Sequence, residues 1–202
     1  MDRREFVGRS ALYGTTFWLL LNVPRPKTLQ AAAQSTEAVV LSEDEWRTVE
    51  AITARIVPTD HDPGAIEANC VNFIDKALAN EEADLLSTYR EGLPRVDAVA
   101  VDRFGARFAE IEPDEQDEVL IALESGDVSA WSAAPVTSKE FFEIVRSHTL
   151  IGFLADPKYG GNRDYVGWKV AGYPGPRHDV GGYTPAQMIG EDKIRTVWGE
   201  EM

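Results

Sequence analysis

The chain has 202 residues, enough for one domain whose core needs neither disulfides nor a structural metal. Acidic side chains outnumber basic ones 34 to 20, for a net charge of -14, which excludes nucleic acid as a partner recognised through a basic patch. One cysteine, Cys70, excludes an internal disulfide framework and a four-cysteine metal site, and no CxxCH motif is present to attach haem c to this chain.

Residues 1–33 read as an export signal. Arg3, Arg4 and Phe6 precede an apolar run from Ala11 to Val23, and Ala31 and Ala33 form an A-x-A cleavage site. The arginine pair with Phe6 matches the twin-arginine pattern, with Asp2 and Gly8 as departures. The apolar run is short for a membrane span of about 20 residues. Arg25 and Lys27 after it disfavour the general secretory route. Cleavage near Ala33 removes Arg3, Arg4, Arg9, Arg25, Lys27, Asp2 and Glu5, leaving a net charge of about -17. Retention of the segment as an anchor is the other reading. The twin-arginine route carries folded proteins. Its use suits a small chain that travels with a partner loading a cofactor in the cytoplasm.

Residues 34–40 read as a linker, and residues 41–202 as the domain. Ser42 and Glu45 make a capping box for a helix with Trp46, Val49, Ile52 and Ile56 on one face, ended by Pro58. Asp62 and Pro63 predict the start of a second helix, whose stripe is Ile66, Cys70, Phe73, Ile74 and Leu78. Leu85, Leu86 and Tyr89 predict a third that stops near Gly92. Val96, Val99, Phe104 and Phe108 predict a fourth, weakened by Gly105. Pro113 opens a fifth with Val119, Leu120 and Leu123 inward and Gly126 as its stop. Thr137 and Glu140 cap a helix through Phe141, Val145, His148 and Gly152 that ends near Asp156-Pro157. Thr184-Pro185 opens a short last helix, and Trp198 is the final apolar anchor. No stretch sustains period-two alternation. The fold class is all-α, a single helical domain with a long irregular C-terminal third where a small hairpin would fit.

That third holds the most unusual stretch. Tyr159-Gly160-Gly161-Asn162 is a turn signal, followed by Tyr165, Trp168 and Tyr173 among Gly167, Gly172 and Gly175. Such a loop either packs its own rings or presents them to a partner, and Tyr159, Gly160, Gly161, Asn162, Trp168 and Tyr173 are the interface candidates. Cys70 reads as a buried thiol, with an intersubunit disulfide as the alternative. His61 between Asp60 and Asp62 looks like a metal cluster, but neighbouring side chains diverge, so capping in a loop is expected. His148 reads as a core histidine. The sequence contains no GxSxG, HExxH, Walker A or GxGxxG motif. A rival reading is a stand-alone exported hydrolase using His148 and Asp156. A binding module with no redox partner is a third.

The chain resembles the gluconate 2-dehydrogenase subunit 3 family. The resemblance rests on Arg3-Arg4, the Ile56-Val57-Pro58-Thr59-Asp60 turn, Pro63-Gly64-Ala65, Val71-Asn72-Phe73-Ile74-Asp75 and Phe141-Phe142. It continues through Asp156-Pro157, Tyr159 to Asp164, Gly167-Trp168 and Gly172-Tyr173-Pro174-Gly175. It implies a non-catalytic small subunit, without catalytic, cofactor or metal residues of its own. The implied partners are a large FAD-containing subunit of the glucose-methanol-choline type, which oxidises a sugar, polyol or sugar acid, and a cytochrome c subunit carrying haem c. It also implies that the small subunit supplies the export signal for itself and the large subunit, through the twin-arginine translocase to the periplasm or the outer membrane face, meeting the membrane only through its partners.

Overall fold

The computed structural model describes residues 38–131, 135–176, 182–189, 191–193 and 196. The export residues Arg3, Arg4, Phe6, Ala31 and Ala33 and the expected anchor Trp198 lie outside them.

Seven α-helices form among the described residues, with no strand between them, as the periodicity requires. They are α1 (Glu43–Ile56), α2 (Cys70–Ala79), α3 (Leu86–Phe104), α4 (Pro113–Ser125), α5 (Ser138–Leu154), α6 (Val166–Val170) and α7 (Pro185–Met188). The capping boxes at Ser42/Glu45 and Thr137/Glu140 close as expected. Each first-turn glutamate accepts the cap's backbone N–H, at 2.7 and 2.8 Å. Helix α5 is the centre, packed against α1, α2, α3 and α4. Its Phe141 and Val145 meet Ile52, Ile74, Leu78, Tyr89, Val96 and Leu123 in one core. Each such side chain contributes about 1.5–3 kcal/mol through removal from water.

Two boundaries differ from the sequence reading. The third and fourth predicted helices are one helix, α3, with Pro94 inside it. Gly92 is not a stop. A Cβ there would sit 2.7 Å from Cζ of Phe141, so glycine lets that ring lie against the α3 backbone. The interior proline costs about 3 kcal/mol in an isolated helix, and the burial of Leu93, Val96, Val99 and Ala100 around it offsets that. The true stop is Gly105 at φ 83, after which Phe108 turns into the core with its N–H on Asp97.

The helix expected from Pro63 is a single turn instead. Asn69 adopts φ 58, the Cys70 N–H reaches back to the Ala65 carbonyl, and α2 starts afresh at Cys70. The turn is pinned to the end of α1. The Ala65 N–H donates to Val57, and a Cβ on Gly64 would lie 2.6 Å from the Pro58 carbonyl carbon. Ala65 and Ala68 therefore face inward, and Ile66 points to solvent rather than joining the stripe.

Candidate interaction site

The end of α5 and the loop 155–176 are built around Asn162, which is fully buried. Its φ of 44 is a left-handed conformation that asparagine tolerates. Its backbone N–H donates to the Gly152 carbonyl at 2.7 Å, and its side-chain amide donates to Ala155 at 2.8 Å. Its Oδ1 accepts the Gly167 N–H at 2.8 Å. One side chain thus satisfies backbone groups on both sides of a loop with no ladder.

Two glycines let the chain close on α5. A Cβ on Gly161 would lie 2.9 Å from the Gly152 carbonyl carbon, and one on Gly167 2.8 Å from that of Phe153. Across the gap to α2, the Asn72 amide donates to the Gly160 carbonyl at 2.6 Å, while Lys76 donates to the Asn72 Oδ1. Burial lowers the Lys76 ammonium below its ordinary value. Arg163 donates its backbone N–H to Ala68 and its guanidinium to the carbonyls of Ile66 and Glu67. The rings complete the assembly. The Trp168 indole donates to the Leu154 carbonyl at 2.6 Å, and lies 5.4 Å from the Tyr165 ring and 5.1 Å edge-on from Tyr173. Tyr173 is raised above its ordinary value by burial and by Asp156.

Four of the six interface candidates therefore work from inside the subunit. Gly160, Gly161 and Asn162 are buried and Trp168 nearly so, because the loop needs them for its own closure. Tyr159 is half-buried beneath Lys158, whose Nζ stands 5.0 Å from the ring centre, and Tyr173 is exposed. Asp164 and Tyr165 hold φ of 55 and 60, positions that cost a side-chain-bearing residue about 1–2 kcal/mol each.

Cys70 is fully buried, and its thiol is pushed up to about 12 by desolvation. The thiol, enclosed by Ala65, Ala68 and Phe153, fits the reading of a buried thiol rather than the alternative of an intersubunit disulfide.

The buried histidine is hydrogen-bonded as a core histidine should be, to two partners, Tyr89 and Glu82, that the sequence did not reveal. The Tyr89 hydroxyl and His148 Nδ1 are 2.9 Å apart, their rings stacked with centres 5.7 Å apart. His148 Nε2 stands 2.5 Å from a Glu82 carboxylate oxygen on the α2–α3 connection. Hydrogen bonding to His148 holds the Glu82 carboxyl below its ordinary value against the opposing effect of burial. Burial pushes the Tyr89 hydroxyl well up, and the Glu82 charge adds to it. Asp156 is engaged elsewhere, accepting the Lys158 N–H at 3.0 Å. The hydrolase pairing of His148 with Asp156 thus has its two members committed to different partners.

Asp60, His61 and Asp62 do come together, contrary to the expected divergence, with candidate ligand atoms within 4.8 Å of one another. All three are exposed, and the carboxylates stand at opposite ring nitrogens, 3.2 Å from Nδ1 and 3.3 Å from Nε2. The histidine bridges two acids, which is not the arrangement of three ligands around one ion. A further polar hub, Asp75, is fully buried and accepts the N–H groups of Val39, Val40 and Leu41 at 2.6, 3.0 and 2.8 Å. The signal for it was a charged residue on an otherwise apolar helix stripe. Among the described residues, no helix is long and apolar enough to cross a membrane.

These features define a small all-α domain whose C-terminal loop is locked onto its central helix. Residues 43–175 match the family model described as gluconate 2-dehydrogenase subunit 3, and the chain belongs to that family. Its family places it among the subunits of dehydrogenase complexes. No curated protein and no solved structure matches the chain.

Proposed function

We propose that this chain is a small subunit that performs no redox chemistry itself but escorts and braces a large FAD-dependent dehydrogenase. Family membership over residues 43–175 carries the reading. The large subunit is of the glucose-methanol-choline type, oxidises a sugar, polyol or sugar acid, and passes electrons to a cytochrome c subunit. FAD and haem c reside on those partners. Arg3 and Arg4, with Phe6 and the Ala31–Ala33 cleavage site, take the folded pair through the twin-arginine translocase to the periplasm or the outer membrane face. A loop locked as tightly as 155–176 suits this role, because a rigid surface loses little entropy on docking. An obligate interface of this kind buries roughly 2,000 Å² or more.

The test is expression of the flavoprotein with and without this chain, and with Arg3-Arg4 changed to Lys-Lys. The expected result is loss of exported, FAD-loaded enzyme in both cases. Unchanged export and FAD content would refute the escort. Turnover of a substrate by the purified chain alone would refute the subunit reading and favour a stand-alone enzyme.

A further inference from the structure

One end of the domain differs in charge from the rest. Residues 38–143 carry 24 acidic and eight basic side chains. Residues 144–176 carry four basic ones, Arg146, Lys158, Arg163 and Lys169, against two acidic, Asp156 and Asp164. The sign of the charge reverses where α5 runs into its loop.

The same stretch exposes large apolar side chains. Leu150, Leu154, Val170 and Tyr173 are each between 38 and 46 % exposed. Leu150 and Leu154 lie one turn apart on one face of α5. Helix α6 packs on α5, and Trp168 ties Leu154 to Tyr173 through its indole bond and its edge-on ring contact. The stretch also contains the strained pair Asp164 and Tyr165, and strain of this kind gathers where a surface must hold one shape. Lys158, Arg163 and Lys169 in this stretch are all exposed, although Lys158 stands 3.7 Å from Asp156 and the Arg163 guanidinium reaches the Ile66 and Glu67 carbonyls. Exposed apolar groups in a stretch of net positive charge, on an otherwise acidic chain, are a surface with a partner in view.

We propose that Leu150, Leu154, Val170 and Tyr173, with Lys158, Arg163 and Lys169 of the same stretch, seat this subunit on the catalytic subunit of its dehydrogenase. The matching face of that subunit is apolar with a rim of carboxylates. The proposal rests on the reading that the chain is a dehydrogenase subunit. Charge selects both the face and the occupant. A carboxylate-rimmed partner is repelled by the acidic remainder of the chain and attracted only here. A second copy would set the same basic groups against themselves. An anionic lipid surface would be repelled by residues 38–143, with their 24 acidic and eight basic side chains.

The experiment co-expresses the full tagged chain with the flavoprotein and measures FAD recovered per tagged chain. The variants are Leu150→Asp with Leu154→Asp, Lys158→Glu with Lys169→Glu, and Ile121→Asp on the exposed acidic face of α4 as control. All five positions are solvent-exposed, and thermal melts of each variant verify folding. The expected result is a loss of about tenfold or more for the leucine pair, as for a charge placed in an interface centre. The lysine pair gives a smaller, salt-sensitive loss, and Ile121→Asp gives none. Equal FAD recovery from wild type and the leucine pair overturns this placement while leaving the subunit reading intact. No FAD with wild type overturns the subunit reading itself. Self-association in sedimentation, or binding to phosphatidylglycerol vesicles, that the leucine pair abolishes while FAD recovery persists assigns the face to a second copy or to lipid, and overturns the proposal.

Discussion

Replacing Gly161 by alanine tests whether close backbone approach holds the C-terminal loop. The added methyl would stand 2.9 Å from the carbonyl carbon and 3.0 Å from the Cα of Gly152, with the carbonyl oxygen nearer still. Carbon atoms settle at about 3.5–4.0 Å, so loop and helix must separate by roughly 0.5–1 Å. The obstacle is backbone in the last turn of a packed helix and cannot swing aside. Overpacking of this kind costs about 1–3 kcal/mol. The separation also stretches the 2.7 Å bond from Asn162 N–H to the Gly152 carbonyl, a further loss of about 1 kcal/mol. The total is about 3 kcal/mol, or roughly 6–12 °C in Tm for a domain of this size. Gly105→Ala is the counterpart. Nothing lies within 4 Å of a Cβ there, but its φ is 83, so the cost is conformational alone, about 1 kcal/mol. Melting curves by circular dichroism should show Gly161→Ala falling further than Gly105→Ala. A fall below about 2 °C for Gly161→Ala, or the reverse order, would refute the reasoning.

Three further outcomes follow from the buried polar groups. Cys70 should resist alkylation at pH 8 in the folded chain and react at once in urea, since its thiol sits near 12; fast labelling of the native chain would show that the turn 64–69 opens. Asp75→Ala should leave the N–H groups of Val39, Val40 and Leu41 without their acceptor, cost about 3 kcal/mol, and speed proteolysis ahead of Ser42; an unchanged urea midpoint would deny Asp75 that role. Glu82 is held below its ordinary 4.5 in the folded state, so its contribution is full above that value and disappears as pH falls through the lower folded value. The gap in urea midpoint between wild type and Glu82→Gln should therefore be open at pH 7 and close below about pH 4.5; a gap that widens on acidification would contradict the His148 contact.

Much of the helical frame was legible along the chain because its signals are local. Ser42 with Glu45 and Thr137 with Glu140 are caps three residues apart, and Pro113 and Gly126 bracket α4 through their own backbone preferences. The inward stripe of α4 and α5 follows from a 3.6-residue period, and the family motifs are short runs of neighbouring residues. Gly92 and Pro94 misled for a physical reason. Their local preference is to break a helix, and only the Phe141 ring, contributed from nearly fifty residues away, makes that glycine an advantage.

The loop was legible as unusual but not in its use. Aromatic and glycine content identified residues 159–173, yet composition cannot say which rings face in. That depends on Asn162 finding Gly152, Ala155 and Gly167 at once, and on Asn72 meeting Gly160 across 88 residues of chain. The pairing of Tyr89, His148 and Glu82 is of the same kind. By itself the sequence determined helix class, helix caps and family, because those depend on neighbours within one or two turns. Tertiary structure alone decided which polar groups are enclosed and which apolar ones remain in water, because burial is set by whatever distant segment arrives to cover them.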